Sequence, residues 1–231
     1  LQQRRQRRER PAAERDRRHV LQRPAEARAG EREGGGGRQA QKLRGRDVAV
    51  LASGDPFWFG VGSPLARDVP AAELLCLPAP SAFSLACARL SWALQEVATI
   101  SFCGRPLAAL APLLQPGARI LALSADARTP EAIAAFLRDR GFGPTRLHVL
   151  EALGGPRERI RTTTAQDFAA DAVAALNMMA LEITACPNAR VIPLAPGLPD
   201  DAFEHDGQIT KREIRALTLS ALAPRRGETL W

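Results

Sequence analysis

A short stretch around residue 54 has the residue types and spacing of an anion-binding turn. Residues 48–53 form an apolar run rich in β-branched side chains, which predicts a buried strand. Gly54 breaks this strand, and a helix over 56–67 is predicted to follow at once, with Asp55 as its N-cap and Pro56 at its first position. The free backbone N–H groups of such a turn suit a ligand carboxylate or phosphate, and an ordinary well-capped strand-to-helix turn has the same pattern.

The cysteine and histidine residues do not have the spacing of a metal site. The four cysteines show no C-x-x-C pattern and lie mostly on apolar segments, which indicates reduced structural thiols in a cytosolic protein. The three histidines are widely dispersed along the chain. These residues are Cys76, Cys87, Cys103 and Cys186, and His19, His148 and His205. We therefore expect no bound metal.

Charge and hydropathy narrow the classes of partner. The net charge of +7 is concentrated in residues 1–46, which hold 15 Lys and Arg against 6 Asp and Glu, whereas the remaining residues hold 17 against 19. The nearly neutral remainder gives no indication of a nucleic-acid partner. No apolar run reaches the roughly 18 residues of a membrane span, and no signal-peptide pattern opens the sequence. We expect a soluble, cytoplasmic protein with no membrane partner.

Residues 1–46 also differ in composition from the rest of the chain. They are rich in Arg, Gln, Glu, Ala and Gly and include a glycine run at 34–37, so we expect a disordered segment. The segment is either a basic arm for RNA or DNA, a solvated tail, or sequence foreign to the original gene product, from a misassigned start or a frameshift. Its lack of aromatic residues argues against the arm, and we favour the last interpretation.

From residue 47 onward, predicted strands and helices alternate, which is typical of an α/β fold. The helix predicted over 129–140 has the clearest ends, with Thr129 as its cap, a proline at its first position and Gly141 in the turn that closes it. The predicted strands are 48–53, 73–78, 97–102, 118–124, 145–152 and 178–184, and the predicted helices are 56–67, 81–94, 106–114, 129–140 and 165–175.

The last part of the chain has a different organisation. Residues 186–201 are rich in proline and are predicted to be an interdomain linker. Thr210 and Glu213 have the spacing of a capping box, which opens a short helix that runs to about Leu222. We interpret residues 202–231 as the truncated start of a second domain, because one helix cannot bury a core.

Several sequence blocks occur in an order typical of one enzyme family. They are 52–57 (ASGDPF), 78–84 (PAPSAFS), 90–92 (LSW), 101–105 (SFCGR), 121–124 (LALS) with 129–130 (TP), and 150–160 (LEALGGPRERI). Together these blocks resemble the tetrapyrrole methylases of cobalamin biosynthesis, over about residues 44–231. They are most similar to the N-terminal half of a two-domain member that methylates a precorrin ring at carbons 5 and 15 and decarboxylates it. Residues 196–203 and 210–217 resemble the opening of that member's C-terminal half.

The resemblance implies two α/β lobes with S-adenosylmethionine (SAM) in the cleft between them. By analogy, the first lobe covers residues 47–98 and the second covers 99–185. The first strand of the family, with its Gly-rich turn, has no counterpart in residues 1–46. The expected fold is therefore a two-lobed tetrapyrrole methylase fold in which the first lobe is partial and lacks its first strand.

The resemblance also assigns residues to the cofactor. Gly54, Asp55 and Pro56 match the SAM loop of the family, where the glycine permits close backbone approach and the aspartate fixes the turn. Ser81 and Ala82 match the second loop of the same lobe. A plain helix N-cap is an equally good interpretation of the serine.

Further candidate residues lie on the predicted second lobe and at the rim of the cleft. Asp126 lies where a loop faces the adenosyl group, while helix capping is the favoured role of Thr129. Phe57, Arg105 and Arg157 are expected at the substrate, because a precorrin presents a large ring and many carboxylates that arginine can bind in a bidentate manner. An exposed arginine is, however, more often a solvated surface residue, and an aromatic side chain equally packs the lobe.

The implied activity is SAM-dependent methylation of a precorrin macrocycle at carbon 5. Methyl transfer to an electron-rich ring carbon is an in-line displacement, so the protein must align donor and acceptor and exclude water, and no catalytic side chain is assigned. The alternatives are an inactive truncated fragment of such an enzyme, or an enzyme of the same fold with an RNA or protein substrate. The family also implies a homodimer.

Overall fold

A five-stranded sheet organises the part of the chain that the computed structural model describes, which is residues 48–169, 171–225 and 227–229. The segment 1–46, for which disorder is expected, lies outside the described residues. The strands are β1 (Val97–Ser101), β2 (Arg119–Leu123), β3 (Arg146–Glu151), β4 (Arg159–Thr164) and β5 (Asn177–Glu182). Their order in the sheet is β1-β2-β5-β3-β4, with β1 and β2 parallel and all other neighbours antiparallel.

Four predicted strands are confirmed, and they are consecutive neighbours in the sheet. The predictions over 97–102, 118–124, 145–152 and 178–184 correspond to β1, β2, β3 and β5. Their apolar runs are nearly continuous because both faces of the sheet are covered. β4 is not among the predicted strands, since its sequence Arg-Ile-Arg-Thr-Thr-Thr is polar. Such a sequence is tolerated at the edge of the sheet, where β4 pairs with β3 alone.

Side chains alternate between the two faces of the sheet, so neighbours along one strand enter different cores. On β2, Ile120 packs in the first core and Leu121 in the second. The first core lies beneath helix α3 (Thr129–Arg138) and includes Ile100, Phe102, Leu110, Ile133, Leu137, Leu147, Val149, Met179 and Leu181. The second core lies beneath helix α2 (Ala82–Leu90) and includes Phe83, Ala86, Cys87, Trp92, Leu150, Met178 and Ala180. The predicted α/β class is confirmed by this layered arrangement.

The starts of α2 and α3 differ in how they are capped. Ser81 precedes α2, and its hydroxyl accepts a hydrogen bond from the Ser84 N–H at 3.2 Å, so the N-cap interpretation of this serine is confirmed. The prediction that Thr129 caps α3 is wrong, because this residue is already helical and its hydroxyl accepts from Ala125 N–H. Gly141, with φ +82°, closes the chain after α3 as predicted.

The apolar runs 48–53 and 73–78 are not strands, contrary to the prediction. Both are exposed instead: Leu51 is 78% exposed and Leu75 is 81% exposed. No strand in the described ranges pairs with either run, and a strand needs a partner for its backbone groups. Residues 48–96 therefore contribute no strand to the structure.

Three predicted helices also need correction. The helix predicted over 56–67 begins only at residue 62, as helix α1 (Gly62–Asp68). The helix predicted over 106–114 is a 3-10 helix, Leu107–Leu113, because Pro112 inside it has no N–H to donate. Of residues 165–175, the structure describes 165–169 and 171–175, and none of them is helical.

The C-terminal part of the described chain contains helix α4 (Arg212–Leu222), which ends where predicted. The predicted capping box is wrong, since no side chain in the described part of the chain caps the first turn of α4. Arg215 anchors the helix instead, with its guanidinium 2.7 Å from an Asp200 carboxylate oxygen and 2.7 Å from the Leu198 carbonyl oxygen. None of the helices in the described ranges has both the length and the apolar character that crossing a bilayer requires.

Candidate functional site

The turn at Gly54 is close-packed against the start of α2. Gly54 has φ +73°, and a Cβ built on it would lie 3.2 Å from the Ser81 Cα. Glycine is therefore required here both by the backbone conformation and by the approach of the second loop. The structure brings together two of the segments assigned to the cofactor by resemblance, 54–56 and 81–82.

Asp55 fixes this turn, but it does not cap a helix as predicted. Its Oδ1 accepts a hydrogen bond from Phe57 N–H at 2.8 Å, which closes a local turn of the chain. The Pro56 carbonyl oxygen then accepts from Gly62 N–H at 2.7 Å. The chain needs these extra turns before α1 begins, so the free N–H groups of a helix start are not located at Pro56.

Two further glycines, which the sequence analysis did not single out, allow this compact turn. A Cβ at Gly60 would lie 2.6 Å from the Pro56 carbonyl oxygen, and one at Gly62 would lie 2.7 Å from the same atom. Either substitution would force the backbone apart. The spacing G-x-G directly after the aromatic run is the only sequence signal for this requirement.

The aromatic run after Pro56 is partly exposed and partly anchored. Phe57, Trp58 and Phe59 are 48%, 43% and 41% exposed. The rings of Trp58 and Phe59 lie 6.0 and 5.6 Å from the ring of Phe83, which is only 1% exposed. The run therefore presents aromatic surface to solvent while α2 holds it from below.

These aromatic side chains form one wall of an open groove of about 540 Å³. Arg105 also lines this groove, with its guanidinium carbon 5.4 Å from the centre of the Phe59 ring. The groove is lined by Phe57, Trp58, Phe59, Gly60, Ser63, Thr99 and Arg105. Phe57 and Arg105 are thus brought together as the sequence analysis expected of a substrate site. Ser63 and Thr99 are not among the predicted residues, and no motif in the sequence marks them.

Arg157 does not join this groove. It is exposed and lies in the turn between β3 and β4, outside the set of residues that line the cavity. Its neighbours are engaged in ion pairs: Glu158 binds Arg89 at 2.5 Å, and Arg159 binds Glu151 at 2.6 Å. Of the two arginines expected at the substrate, Arg105 lines the groove and Arg157 does not.

Asp126 caps the start of α3 and also lies outside the groove. Its Oδ1 accepts from Arg128 N–H at 2.9 Å and from Thr129 N–H at 3.0 Å. The Arg128 N–H bond and the Thr129 bonds hold the pKa of the Asp126 carboxyl below its usual range. The backbone of this turn is tied to β5, because the Asn177 side-chain amide donates to the Asp126 carbonyl oxygen at 3.2 Å. Beside it, the buried Ser124 hydroxyl has no hydrogen-bond partner in the described ranges.

A buried carboxylate organises the turn that precedes β5. Glu151 is 1% exposed, and it accepts hydrogen bonds from Arg159 Nε at 2.6 Å, Arg159 Nη2 at 2.8 Å and Ala174 N–H at 2.7 Å. The Arg159 bonds are the main cause that holds the pKa of Glu151 below its ordinary value, against the opposing effect of burial. Arg159 Nη2 also donates a hydrogen bond to the Ala172 carbonyl oxygen at 3.0 Å. The bond from the Ala174 N–H occupies a backbone donor that the predicted helix over 165–175 would have used.

Comparison with known protein families identifies the class of protein. The family model of tetrapyrrole (corrin/porphyrin) methylases matches residues 2–169, and the chain therefore belongs to this family. The match begins nearer the N terminus than the resemblance, which covered about 44–231. The family model described as a precorrin methyltransferase domain matches residues 201–231.

Individual relatives are more specific. A protein from Sinorhizobium sp. named precorrin-6Y C(5,15)-methyltransferase (decarboxylating) is 57% identical over 188 residues, which cover 81% of this chain and 46% of the relative. The protein of the same name from Mycobacterium tuberculosis (strain CDC 1551 / Oshkosh) is 44% identical over 191 residues, with the same shares. The chain spans about half the length of the curated relatives it matches. Among solved structures, the precorrin-6Y methylase of Archaeoglobus fulgidus matches 64% of this chain and 70% of its own, at 28% identity and a TM-score of 0.48.

Proposed function

We propose that this chain binds SAM and transfers its methyl group to carbon 5 of a precorrin-class macrocycle. The observation that carries the proposal is the groove in which the aromatic run after Pro56 faces Arg105. The names of the curated relatives support the choice of substrate class. The groove lies between residues 57–63 of the predicted first lobe and Thr99 and Arg105, at the boundary with the predicted second lobe.

The residues around Gly54 fit a SAM-binding role. The backbone of Gly54, Asp55 and Pro56 directly precedes the groove, and the start of α2 at Ser81 and Ala82 packs against it. Exposed aromatic faces next to this turn attract a sulfonium cation and stack on a purine. When bound, SAM supplies an activated methyl group on its sulfonium. The chain's own residues then have to hold it in place and keep water away from it.

The groove is suited to a ring that carries carboxylates. Phe57 and its aromatic neighbours offer apolar surface to a macrocycle, and the exposed guanidinium of Arg105 offers two parallel N–H donors to a carboxylate. Both interactions act on the orientation of the ring. Alignment of the acceptor carbon with the methyl donor at about 3–3.5 Å is the contribution that an in-line transfer requires.

Asp126 and Arg157 have smaller roles in this proposal. The Asp126 carboxylate is already bonded to the first turn of α3, so its turn would meet the cofactor through the backbone. Arg157 would contact only a substrate side chain that extends beyond the groove. We further propose that the enzyme is a cytoplasmic homodimer without a nucleic-acid partner. Sedimentation of the purified chain tests the dimer.

Calorimetric titration with SAM tests the proposed function. We expect micromolar binding by the purified chain and loss of that binding in the variant Asp55→Ala with Pro56→Ala. The matched control carries Asp68→Ala with Pro70→Ala, which removes the same side-chain types from exposed positions outside the groove. A chain that is folded by circular dichroism and does not bind SAM would identify the inactive-fragment alternative as correct.

A second measurement addresses the substrate class. Incubation with SAM and a precorrin extract should add the mass of one methyl group to the macrocycle, and Arg105→Gln should reduce this product. Transfer of radiolabelled methyl to RNA or protein, with none to the macrocycle, would instead support the alternative that the chain is an enzyme of the same fold with an RNA or protein substrate.

A further inference from the structure

The turn between β3 and β4 is closed by one of its own carboxylates. Glu158 Oε2 accepts a hydrogen bond from the Gly154 N–H at 2.7 Å. Gly154 has φ +76°, and a Cβ built on it would lie 3.1 Å from the Leu85 Cδ1 of α2. The turn is therefore compact and lies directly against this helix. Both contacts are made by residues of the block 153–158 (LGGPRE), which carried part of the family resemblance.

Helix α2 reaches the same carboxylate from its C-terminal end. Arg89 Nε lies 2.5 Å from Glu158 Oε1, and Arg89 Nη2 lies 3.1 Å from Glu158 Oε2. The side chains are 42% and 22% exposed. Two parallel bonds fix the orientation of both groups more strongly than a single surface contact does. These bonds also hold the pKa of Glu158 below its ordinary value.

The opposite end of α2 lies at the candidate cofactor turn. Ser81 caps the helix and is in contact with Gly54, as described above. A helix of nine residues is a rigid element about 13 Å long, so displacement of one end moves the other. The helix therefore connects the Gly54 turn mechanically with the turn that contains Glu158.

We propose that Arg89 and Glu158 are a positioning pair, which clamps α2 to the 153–158 turn and thereby holds the start of the helix against the SAM turn at Gly54. The inference rests on the proposed function, because it assumes that residues 54–56 and 81–82 bind SAM. Neither residue of the pair lines the groove, so both act through α2.

Hydrogen exchange tests the clamp without any ligand. In Arg89→Gln and in Glu158→Gln, the amides of residues 153–158 should exchange faster than in the unmodified chain. Arg146→Gln is the matched control, since it removes another exposed arginine that has an ion pair, at 3.5 Å from Glu182. Unchanged exchange over 153–158 in both test variants would overturn the clamp.

Binding of S-adenosylhomocysteine tests the positioning role. We expect Kd to rise roughly threefold to tenfold in each single variant, with the double variant no weaker than the weaker single one, because the pair acts as a unit. The Kd of Arg89→Lys should lie between that of the unmodified chain and that of Arg89→Gln, since lysine keeps the charge and loses the two-donor geometry. Arg146→Gln should bind S-adenosylhomocysteine with the same Kd as the unmodified chain, even if its unfolding temperature falls by as much as that of the test variants.

The outcomes separate the two proposals. An unmodified chain that binds S-adenosylhomocysteine while Arg89→Gln and Glu158→Gln bind it equally well would overturn the positioning role and leave the proposed function intact. An unmodified chain that does not bind would instead reject the proposed function, and hydrogen exchange over 153–158 would still decide whether the pair clamps α2.

Discussion

Gly54 and Ser81 are in contact where the two candidate cofactor segments meet. A Cβ at position 54 would lie 3.2 Å from the Ser81 Cα and 3.5 Å from the Pro80 carbonyl oxygen. The contact is between backbone atoms, so neither side can give way by changing a side-chain rotamer. A residue with a Cβ at this position therefore requires the turn and the start of α2 to move apart by a few tenths of an ångström.

Gly54→Ala should therefore impair both stability and SAM binding. Its positive φ alone costs about 1 kcal/mol for a residue with a Cβ. The control is Gly117→Ala, where φ is +80° and no described atom lies within 4 Å of the new Cβ. Urea unfolding should show a larger loss for Gly54→Ala than for the control. Calorimetry should show weakened SAM binding only for Gly54→Ala, and equal effects of the two variants would contradict the close contact.

Arg105 should matter to the macrocycle and not to SAM. Arg105→Gln removes the guanidinium from the wall of the groove, so KM for the precorrin should rise by about tenfold while Kd for SAM stays unchanged. Arg157→Gln provides the control, because that arginine is exposed outside the groove. Steady-state kinetics on both variants decides the matter, and a larger effect at residue 157 would show that the substrate binds elsewhere.

The ion pairs of Glu151 should make the stability depend on acid pH. Its folded pKa is held below the ordinary value of 4.5, so the unfolded chain takes up this proton more readily. The stabilisation is therefore complete above about pH 4.5 and is lost as the pH falls through the folded pKa. Urea unfolding measured from pH 7 to pH 3 should show the loss.

Glu151→Gln should flatten that acid dependence. At pH 7 it should cost about 2–3 kcal/mol, less than the loss of a fully buried pair, because the Arg159 side chain is half exposed and can reach water. The matched comparison is Glu131→Gln, an exposed residue of α3. An acid dependence that persists unchanged in Glu151→Gln would assign the effect to other carboxyl groups.

The cysteines should differ strongly in their reactivity towards an alkylating reagent. Cys103 is exposed, whereas Cys87 is buried and burial raises the pKa of its thiol. A raised pKa means less thiolate at neutral pH, and the thiolate is the reactive form. Peptide mass spectrometry after brief iodoacetamide treatment should find Cys103 modified first and Cys87 last. Both should react at similar rates in denaturant, which confirms that the fold causes the difference.

Strands β1, β2, β3 and β5 could be predicted from sequence because burial on both faces of the sheet leaves nearly continuous apolar runs. The same signal fails for residues 48–53 and 73–78, which have equally apolar runs and no pairing partner in the described ranges. Pairing is a long-range property that a local window does not contain. β4 shows the converse, since its pairing with β3 makes a strand from a polar sequence.

The candidate site was predictable where it depends on local chemistry. The glycine of the 54–56 turn and the N-cap at Ser81 follow from residue type and spacing. Thr99 lines the groove because the fold brings β1 to the same cavity as the aromatic run, which is more than thirty residues away in the sequence, so no local pattern indicates it. The helix predicted to start at Pro56 failed for a related reason, because turns closed by Asp55 and Pro56 compete with helix formation.

The position of β5 determines the sequence of events when the chain is synthesised. β5 follows β2 and β3 in the chain, yet it lies between them and provides the hydrogen bonds that join them. A nascent chain that has not yet extended to residues 177–182 can form only two separate ribbons, β1-β2 and β3-β4. The open edges of β2 and β3 both pair with β5, so the sheet is completed late and in one step. Long-range pairing limits the rate at which the sheet is completed. The nascent chain is most prone to aggregate while the edges of both ribbons are unpaired.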